Sequence, residues 1–278
     1  MAEEILRRAR AFVTAWRIAL RIVGVSFRAE LQYRSNFLSS IALGIAWQGS
    51  VIVFATVLLG NFTDMGGWPS GAVLLLASMR MLSHGVYALL FDRSHRLGVL
   101  VQEGRIDAFL IRPMPVYRQV QLAEFPTNAL GDLLVGASMF TGAVTTIDLH
   151  WTPLRILYLT SGLIGGTLME AAVFTALSSA HLHFPSSSAW STWIEEIFGM
   201  FGSYPLSFLP RSVGALFTFV LPLAFIAYFP AAELTGHTDH LTVPSAVALA
   251  SPAIGLGAFV AARLLWNVSL RRYTGVTG

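Results

Sequence analysis

Long uncharged apolar segments alternate with short polar ones along most of the chain. The first runs from Ser35 to Thr63 without a charged residue, and its 29 residues exceed the roughly 20 that a helix needs to cross the hydrocarbon of a bilayer. Six more apolar segments follow it. The pattern therefore predicts an all-α integral membrane protein with several spans. The predicted apolar segments cover 37–60, 69–91, 119–147, 156–180, 189–210, 212–232 and 243–265.

Residues 1–34 have a different pattern, with apolar positions on one face of a helix and arginines beside them. Seven arginines interrupt this stretch, so it lacks the continuous apolar core of a secretory signal peptide. A helix with an apolar face and an arginine flank is typical of the membrane interface, where guanidinium groups meet lipid phosphates. An amphipathic helix on a soluble core is the alternative. The flank that we expect to contact membrane lipid consists of Arg10, Arg17, Arg21 and Arg28.

The distribution of arginines predicts the orientation in the membrane. Seven of the 18 arginines lie in residues 1–34, five in the 92–118 loop and three from Arg263 onward. Because arginine marks the cytoplasmic side, we expect both termini and the 92–118 loop in the cytoplasm of a cell-membrane protein. Both ends inside require an even number of crossings, so one of the seven apolar segments does not cross. The candidates are 189–210 and 212–232, which contains Pro222.

Composition excludes several kinds of chemistry. Hydrophobic residues make up 55% of the chain and charged residues only 12%, and neither cysteine nor lysine occurs. Thiolate chemistry and the lysine-containing phosphate-binding loop are therefore absent, and any nucleotide energy must come from another polypeptide. No metal site is predicted, since the seven histidines form no metalloprotease motif and His181-Leu182-His183 alone is weak. The excess of arginine follows from membrane orientation, so we predict no nucleic-acid partner.

The 92–118 loop contains the most informative polar motif. Gly104 can adopt a left-handed conformation that ends a turn, and we expect Asp107 to cap the short helical turn that follows. Arg112-Pro113 then predicts an extended exit, because the residue before proline avoids helical geometry. The motif thus predicts a short helix at the membrane face, although an ordinary charged loop is the alternative.

Three charged side chains fall within predicted spans: Arg80, Asp132 and Glu170. Each costs about 3 kcal/mol to insert on translocon scales, so each needs a partner or water. One interpretation is a polar translocation path. The other is buried pairing, for example of Arg80 with Asp132 or Glu170, that only fixes helix packing.

The layout as a whole resembles the transmembrane subunit of type-2 ABC exporters, the six-span permeases related in fold to ABCG-type transporters. The stretch Glu103 to Pro113 is similar to the G-x-x-D-x-x-L-x-R-P motif of one subgroup, and Phe219 to Pro230 also resembles that subgroup. Tyr204-Pro205-Leu206 matches the step that ends span 5 in the family.

The resemblance implies an elbow helix at 1–34 and a single six-span domain at 35–278, with 189–210 as span 5 and an extracellular re-entrant hairpin at about 211–232. It also implies that the 92–118 loop carries a coupling helix against separate ABC ATPase subunits, which would hold ATP and Mg²⁺. No cofactor is expected in this chain. A second permease, identical or homologous, is expected as partner. The coupling residues that the resemblance assigns are Glu103, Gly104, Arg105, Asp107, Arg112 and Pro113.

We therefore expect the permease subunit of an ATP-driven exporter, which is not itself an enzyme. Two alternatives remain at this point: a proton-coupled secondary transporter that uses Asp132 and Glu170, and a polytopic membrane enzyme that uses those carboxylates or His181 and His183. The sequence does not predict the substrate.

Overall fold

The computed structural model describes residues 2–61, 67–239 and 241–275, and this part of the chain is helical, without a β-strand. Short 3₁₀ turns connect several of the helices. The α-helices are α1 Ala2–Gln32, α2 Arg34–Asn61, α3 Ser70–Leu90, α4 Leu97–Gln102, α5 Arg105–Leu110, α6 Val116–Leu122, α7 Thr127–Thr146, α8 Pro153–His181, α9 Ser188–Phe201, α10 Arg211–Ala215, α11 Tyr228–Thr235, α12 Ser245–Leu249 and α13 Ser251–Arg271.

Four helices in the described residues are long and apolar enough to cross a membrane: α3, α7, α8 and α13. In addition, α2 has 28 residues and carries no charge after Arg34. The predicted all-α integral membrane class is thus supported by the structure. Helices α2, α3 and α8 correspond to the segments predicted at 37–60, 69–91 and 156–180.

Proline and polar residues set where the long helices begin. Thr152 precedes α8, and its hydroxyl accepts a hydrogen bond from the backbone N–H of Arg155 at 3.3 Å. Pro153 then occupies the first turn, where its missing N–H costs nothing. Pro252 takes the same place in α13, so both helices start at positions that the sequence specifies locally.

The core is built from two helix pairs. In the antiparallel pair, α3 packs on α7, with Gly71 near Ile147 at one end and Gly85 near Leu133 further along. In the second pair, α8 and α13 run in the same direction, and the backbones of Gly165 and Gly255 touch. Small residues allow such close helix packing in lipid. The largest buried side chains of the described core include Trp68, Tyr87, Phe174, Phe198 and Phe229.

Two predicted spans are shorter as helices than the apolar segments suggested. The 119–147 segment is divided between α6 and α7, because Pro126 stands immediately before α7 and cannot continue a helix from the preceding turn. The 189–210 segment forms only the 14 residues of α9, after which a turn and a 3₁₀ turn lead to Arg211. The last apolar segment is displaced as well, since α13 begins at Ser251 and ends at Arg271.

Residues 211–235, called here the broken segment, contain no continuous helix. After α10 the chain widens into a π-type turn at 216–220, passes Pro222, makes a 3₁₀ turn at 223–225 and enters α11. Pro222 has no backbone N–H to continue a helix. Most side chains from Leu223 to Ala232 are buried, so protein surrounds the irregular backbone.

Trp68, just before α3, is buried in the protein. Its side chain is only 2% exposed. It stacks on Tyr228 of the broken segment, with ring centroids 5.5 Å apart, and on His237 at 5.1 Å. Trp68 therefore joins the start of α3 to the broken segment through these ring contacts.

Candidate functional site

Residues 92–122, between α3 and α7, fold as a compact unit with their own small apolar core. A 3₁₀ turn at 92–96 leads into α4, α5 and α6. Their apolar faces meet one another and also contact α8 and α13, so the unit is joined to the membrane helices. The core consists of Leu97, Leu100, Val101, Ile106, Phe109, Val116, Tyr117, Val120, Leu182 and Trp266.

Gly104 has the left-handed conformation predicted for it, with φ of 68°. It separates α4 from α5 and lets the chain reverse without a strained side chain. The predicted cap is wrong, however. Asp107 lies within the first turn of α5, and Gly104 occupies the N-cap position. A carboxylate in the first turn still faces the positive end of the helix dipole.

The predicted extended exit at Arg112-Pro113 is also wrong. The Arg112 N–H donates to the Phe109 carbonyl at 3.3 Å, and the Arg112 carbonyl accepts from the N–H of Met114 at 2.8 Å. A tight turn results. It is held by Gln119, whose amide donates to the carbonyls of Phe109 and Met114 at 2.8 and 2.7 Å.

The six predicted coupling residues lie at or near the surface of this unit. Glu103 and Arg105 form an exposed ion pair at 3.4 Å, and the Arg112 guanidinium lies over the Phe109 ring at 5.4 Å. Asp107 and Pro113 are exposed, and Gly104 is half-buried. The polar residues thus surround an apolar tip, where the Leu110 and Ile111 side chains are 47% and 87% exposed.

The C-terminal tail packs on the same unit. Tyr273, which follows α13, is partly buried against its apolar core. Burial, together with the neighbouring Asp107 carboxylate, raises the pKa of the Tyr273 phenol to about 12. Gly275 lies next to the same carboxylate. Asp107 is therefore placed between solvent and the tail.

Tyr117 anchors the unit to both α8 and α13. Its hydroxyl and that of Thr175 in α8 are 3.1 Å apart. The Arg263 guanidinium of α13 lies 3.5 Å above its ring, a cation–π geometry. The Trp266 ring meets it edge to face at 5.3 Å. Nearby, the Ser178 hydroxyl donates to the Ser94 carbonyl at 2.7 Å.

The N-terminal helix α1 contacts the end of this unit. Phe27 packs edge to face on Phe125 with ring centroids 4.9 Å apart. A cleft of about 390 Å³ separates α1 from α5, with Ile22 on one side and Arg105 and Arg112 on the other. The predicted lipid-facing residues Arg17, Arg21 and Arg28 are exposed, whereas the Arg10 side chain lies outside the described residues.

A second polar group lies inside the helix bundle. Arg80 and His84 are four residues apart on one face of α3 and both reach Glu170 of α8. The two terminal nitrogens of Arg80 donate to the two carboxylate oxygens at 3.2 Å, and His84 Nδ1 lies 2.8 Å from Oε1. Arg80 is 4% exposed and Glu170 is fully buried. The ion-pair partner of Arg80 is therefore Glu170, and not Asp132.

Asp132 belongs to the edge of this group. Its carboxylate is hydrogen-bonded to Gln48 of α2, and only 5% of the residue is exposed. Sequence reasoning did not assign a role to Gln48. A polar residue opposite a predicted intramembrane carboxylate was the available signal, but pairing across helices could not be read from one sequence.

Gly202, just after α9, is a further contact that the sequence did not indicate. A side chain on Gly202 would come within 2.7 Å of the Arg80 Nε atom, so only glycine leaves room for the guanidinium. Arg80 consequently lies beside the C-terminal end of α9, where the helix dipole favours a cation. This contact places the end of α9 at the middle of α3.

A cleft of about 230 Å³ opens beside this ion group, between α2, α3 and α9. Its lining includes Arg80, His84, Glu195, Glu196 and Trp47. Glu195 lies 3.5 Å from His95 Nδ1, so polar side chains continue from the cleft toward the 92–122 unit. The cleft can admit water or a small polar group next to the buried ion group.

The two histidines proposed for an enzyme site lie in different environments. His181 is 1% exposed, and its Nε2 lies 3.3 Å from the Ser191 hydroxyl, whereas His183 is exposed. Within the described ranges, no group of three or more histidine, aspartate or glutamate side chains could hold a metal ion.

These features define a polytopic helical membrane protein with a compact polar unit at one end of its bundle. A family model described as ABC-2 family transporter protein matches residues 45–277, which is most of the chain. The chain belongs to this family and is a type-2 ABC permease, the membrane subunit that works with ABC ATPase subunits. No curated protein and no solved structure matches it.

Proposed function

We propose that this permease is the membrane half of an ATP-driven exporter and that the 92–122 unit is its contact with the ATPase. The exposed tip at Leu110 and Ile111, surrounded by charged residues, carries the proposal. Two adjacent exposed apolar side chains, one of them an 87% exposed isoleucine, form a small apolar patch rimmed by polar residues, which is the kind of surface that a protein partner covers. The ATPase would hold ATP and Mg²⁺, and this chain would supply neither a catalytic residue nor a cofactor site.

The proposed topology has six spans, formed by α2, α3, α7, α8, the α9 region and α13, with both termini in the cytoplasm of the cell membrane. The broken segment would enter and leave the outer face as a re-entrant hairpin and act as the outer gate. Helix α1 would lie in the inner interface as the elbow, with Arg17, Arg21 and Arg28 near lipid phosphates. The arginine distribution and the exposure of these side chains support this arrangement.

A second permease, identical or homologous, would complete the translocation path. The cleft between α2, α3 and α9 lies open on the side of the bundle, so a second copy of the same fold could close it. Arg80, Asp132 and Glu170 would then border the path, although Arg80 and Glu170 already satisfy one another. A proton-coupled mechanism would need a free Glu170 carboxylate, and the pairing with Arg80 and His84 argues against it.

Charge reversal tests the ATPase contact. Asp107→Arg and Arg112→Glu each reverse an exposed charge beside the tip, and we expect ATP hydrolysis in the co-purified complex to continue while transport falls about tenfold. Asp148→Arg is the matched control, since Asp148 is equally exposed but lies at the other end of the bundle, next to α7. If no ATPase co-purifies with the chain, or if all three variants transport alike, the proposal is wrong.

A further inference from the structure

The 92–122 unit and the broken segment contact different parts of the same two helices, α8 and α13. At one end, Thr175 of α8 and Arg263 of α13 both contact Tyr117. Toward the other end, Gly162 of α8 lies against Pro230, and Gly166 lies against the carbonyl of Ile226. Each region therefore rests directly on the α8–α13 pair.

The contact between these two helices is close enough to make them move together. A side chain on Gly255 would overlap the backbone of Gly165, and a side chain on Gly165 would overlap the backbone of Pro252. The Tyr158 hydroxyl adds a hydrogen bond at 3.3 Å to the Ala248 carbonyl, just before α13. Closely packed interiors transmit displacement because they cannot compress locally.

We propose that the α8–α13 pair is a rigid strut that couples the position of the 92–122 unit to the conformation of the broken segment, with Gly165 and Gly255 as its positioning residues. The proposal rests on the proposed function for its purpose, because movement of the unit would originate in the ATPase. The coupling itself is between two regions of this chain, the 92–122 unit and the broken segment. Such coupling is reciprocal by thermodynamic necessity.

The absence of cysteine from the chain permits a test with single introduced thiols. Val220→Cys reports on the broken segment, since Val220 is 67% exposed, and its labelling rate with a fluorescent maleimide is measured on the full chain in lipid vesicles. Tyr117→Ala then removes the anchor at the opposite end. We expect this substitution to change the labelling rate at position 220 about fivefold or more.

Substitutions in the strut decide whether α8 and α13 carry the effect. In the Gly255→Ala background, Tyr117→Ala should change the rate at position 220 less than about twofold. Gly257→Ala is the matched control, because Gly257 lies on the same helix with open space around it, and it should preserve the full response. A response that survives Gly255→Ala, or that is absent from the unsubstituted strut, overturns the proposal.

Reciprocity supplies a measurement that does not depend on folding of the Gly255→Ala variant. Tyr228→Ala perturbs the broken segment, and Val99→Cys, at a 44% exposed position in α4, reports on the 92–122 unit. Because coupling acts in both directions, we expect the labelling rate at position 99 to change more than about twofold, and an unchanged rate overturns the strut. No ATPase is present in either assay, so failure of the proposed function appears separately, as the absence of a co-purified ATPase.

Discussion

The buried ion group around Arg80 and the exposed charges of the 92–122 unit use the same residue types in opposite ways. Arg80 and Glu170 are almost entirely buried and make two hydrogen bonds to each other, whereas Arg105 and Glu103 are about half exposed and make one long contact. A charge removed from water must be paired in a fixed geometry. A charge left in water contributes little through its pair and remains available to a partner.

Breaking the buried pair should have the largest effect. Glu170→Gln leaves the Arg80 guanidinium buried without a counter-charge, and we expect a loss of about 3–5 kcal/mol in the free energy of unfolding, measured by denaturant titration in detergent. The double variant Arg80→Met, Glu170→Leu removes both charges and should recover most of that loss. Equal destabilisation by the single and double variants would show that the pair is not what holds α3 to α8.

A backbone change in the exposed unit should have an intermediate effect. Gly104→Ala places a side chain in a left-handed conformation, which costs about 1–2 kcal/mol. We expect faster amide hydrogen exchange in residues 97–110 and unchanged exchange in α8. Gly142→Ala is the control, since a side chain there meets open space. Faster exchange spread over the whole bundle would mean that the unit does not fold as a separate core.

The exposed ion pair of Arg96 with Glu124 should contribute far less than the buried pair. Both side chains are more than a third exposed, so Arg96→Gln should lower the free energy of unfolding by no more than about 1 kcal/mol, and added salt should reduce the difference further. If Arg96→Gln lowered the free energy of unfolding as much as Glu170→Gln does, the contrast between buried and exposed ion pairs would be wrong.

The smallest expected effect concerns the pH at which Tyr273 loses its proton. Tyr273 has its pKa raised from 10.0 to about 12 in the folded chain, so its contribution to stability is complete below pH 10 and is lost as the pH rises through about 12. The difference in phenolate absorbance between the parent and Tyr273→Phe isolates this group. Asp107→Asn should lower the pKa only partly, because burial is the larger cause. A pKa near 10 for Tyr273 would show that the tail does not pack on the 92–122 unit.

Local chemistry predicted only part of the 92–122 unit, since the cap at Asp107 and the extended exit at Arg112-Pro113 were wrong. The left-handed turn at Gly104 follows from one residue and was confirmed. The helix limits at 119–147 and 189–210 were set too wide, because the apolar pattern continues past Pro126 and Gly202, although Pro126 is itself a local signal of a helix boundary.

The candidate sites divide in the same way. Charges at Arg80, Asp132 and Glu170 could be recognised as unusual from the apolar segments around them. The choice of Glu170 as the partner of Arg80 depends on how α3 meets α8, which one sequence does not specify. The roles of His84, Gln48 and Tyr117 likewise arise from tertiary packing.

The short length of α9 has a consequence for the surrounding lipid. A helix of 14 residues extends about 21 Å, against roughly 30 Å of hydrocarbon in a typical bilayer. If the chain crosses here, the bilayer beside α9 must become thinner, because a helix shorter than the hydrocarbon layer would leave polar backbone exposed to lipid. This is a case of hydrophobic mismatch. Reconstitution into phospholipids of graded tail length should therefore favour thinner bilayers, with α9 as the element that sets the optimum.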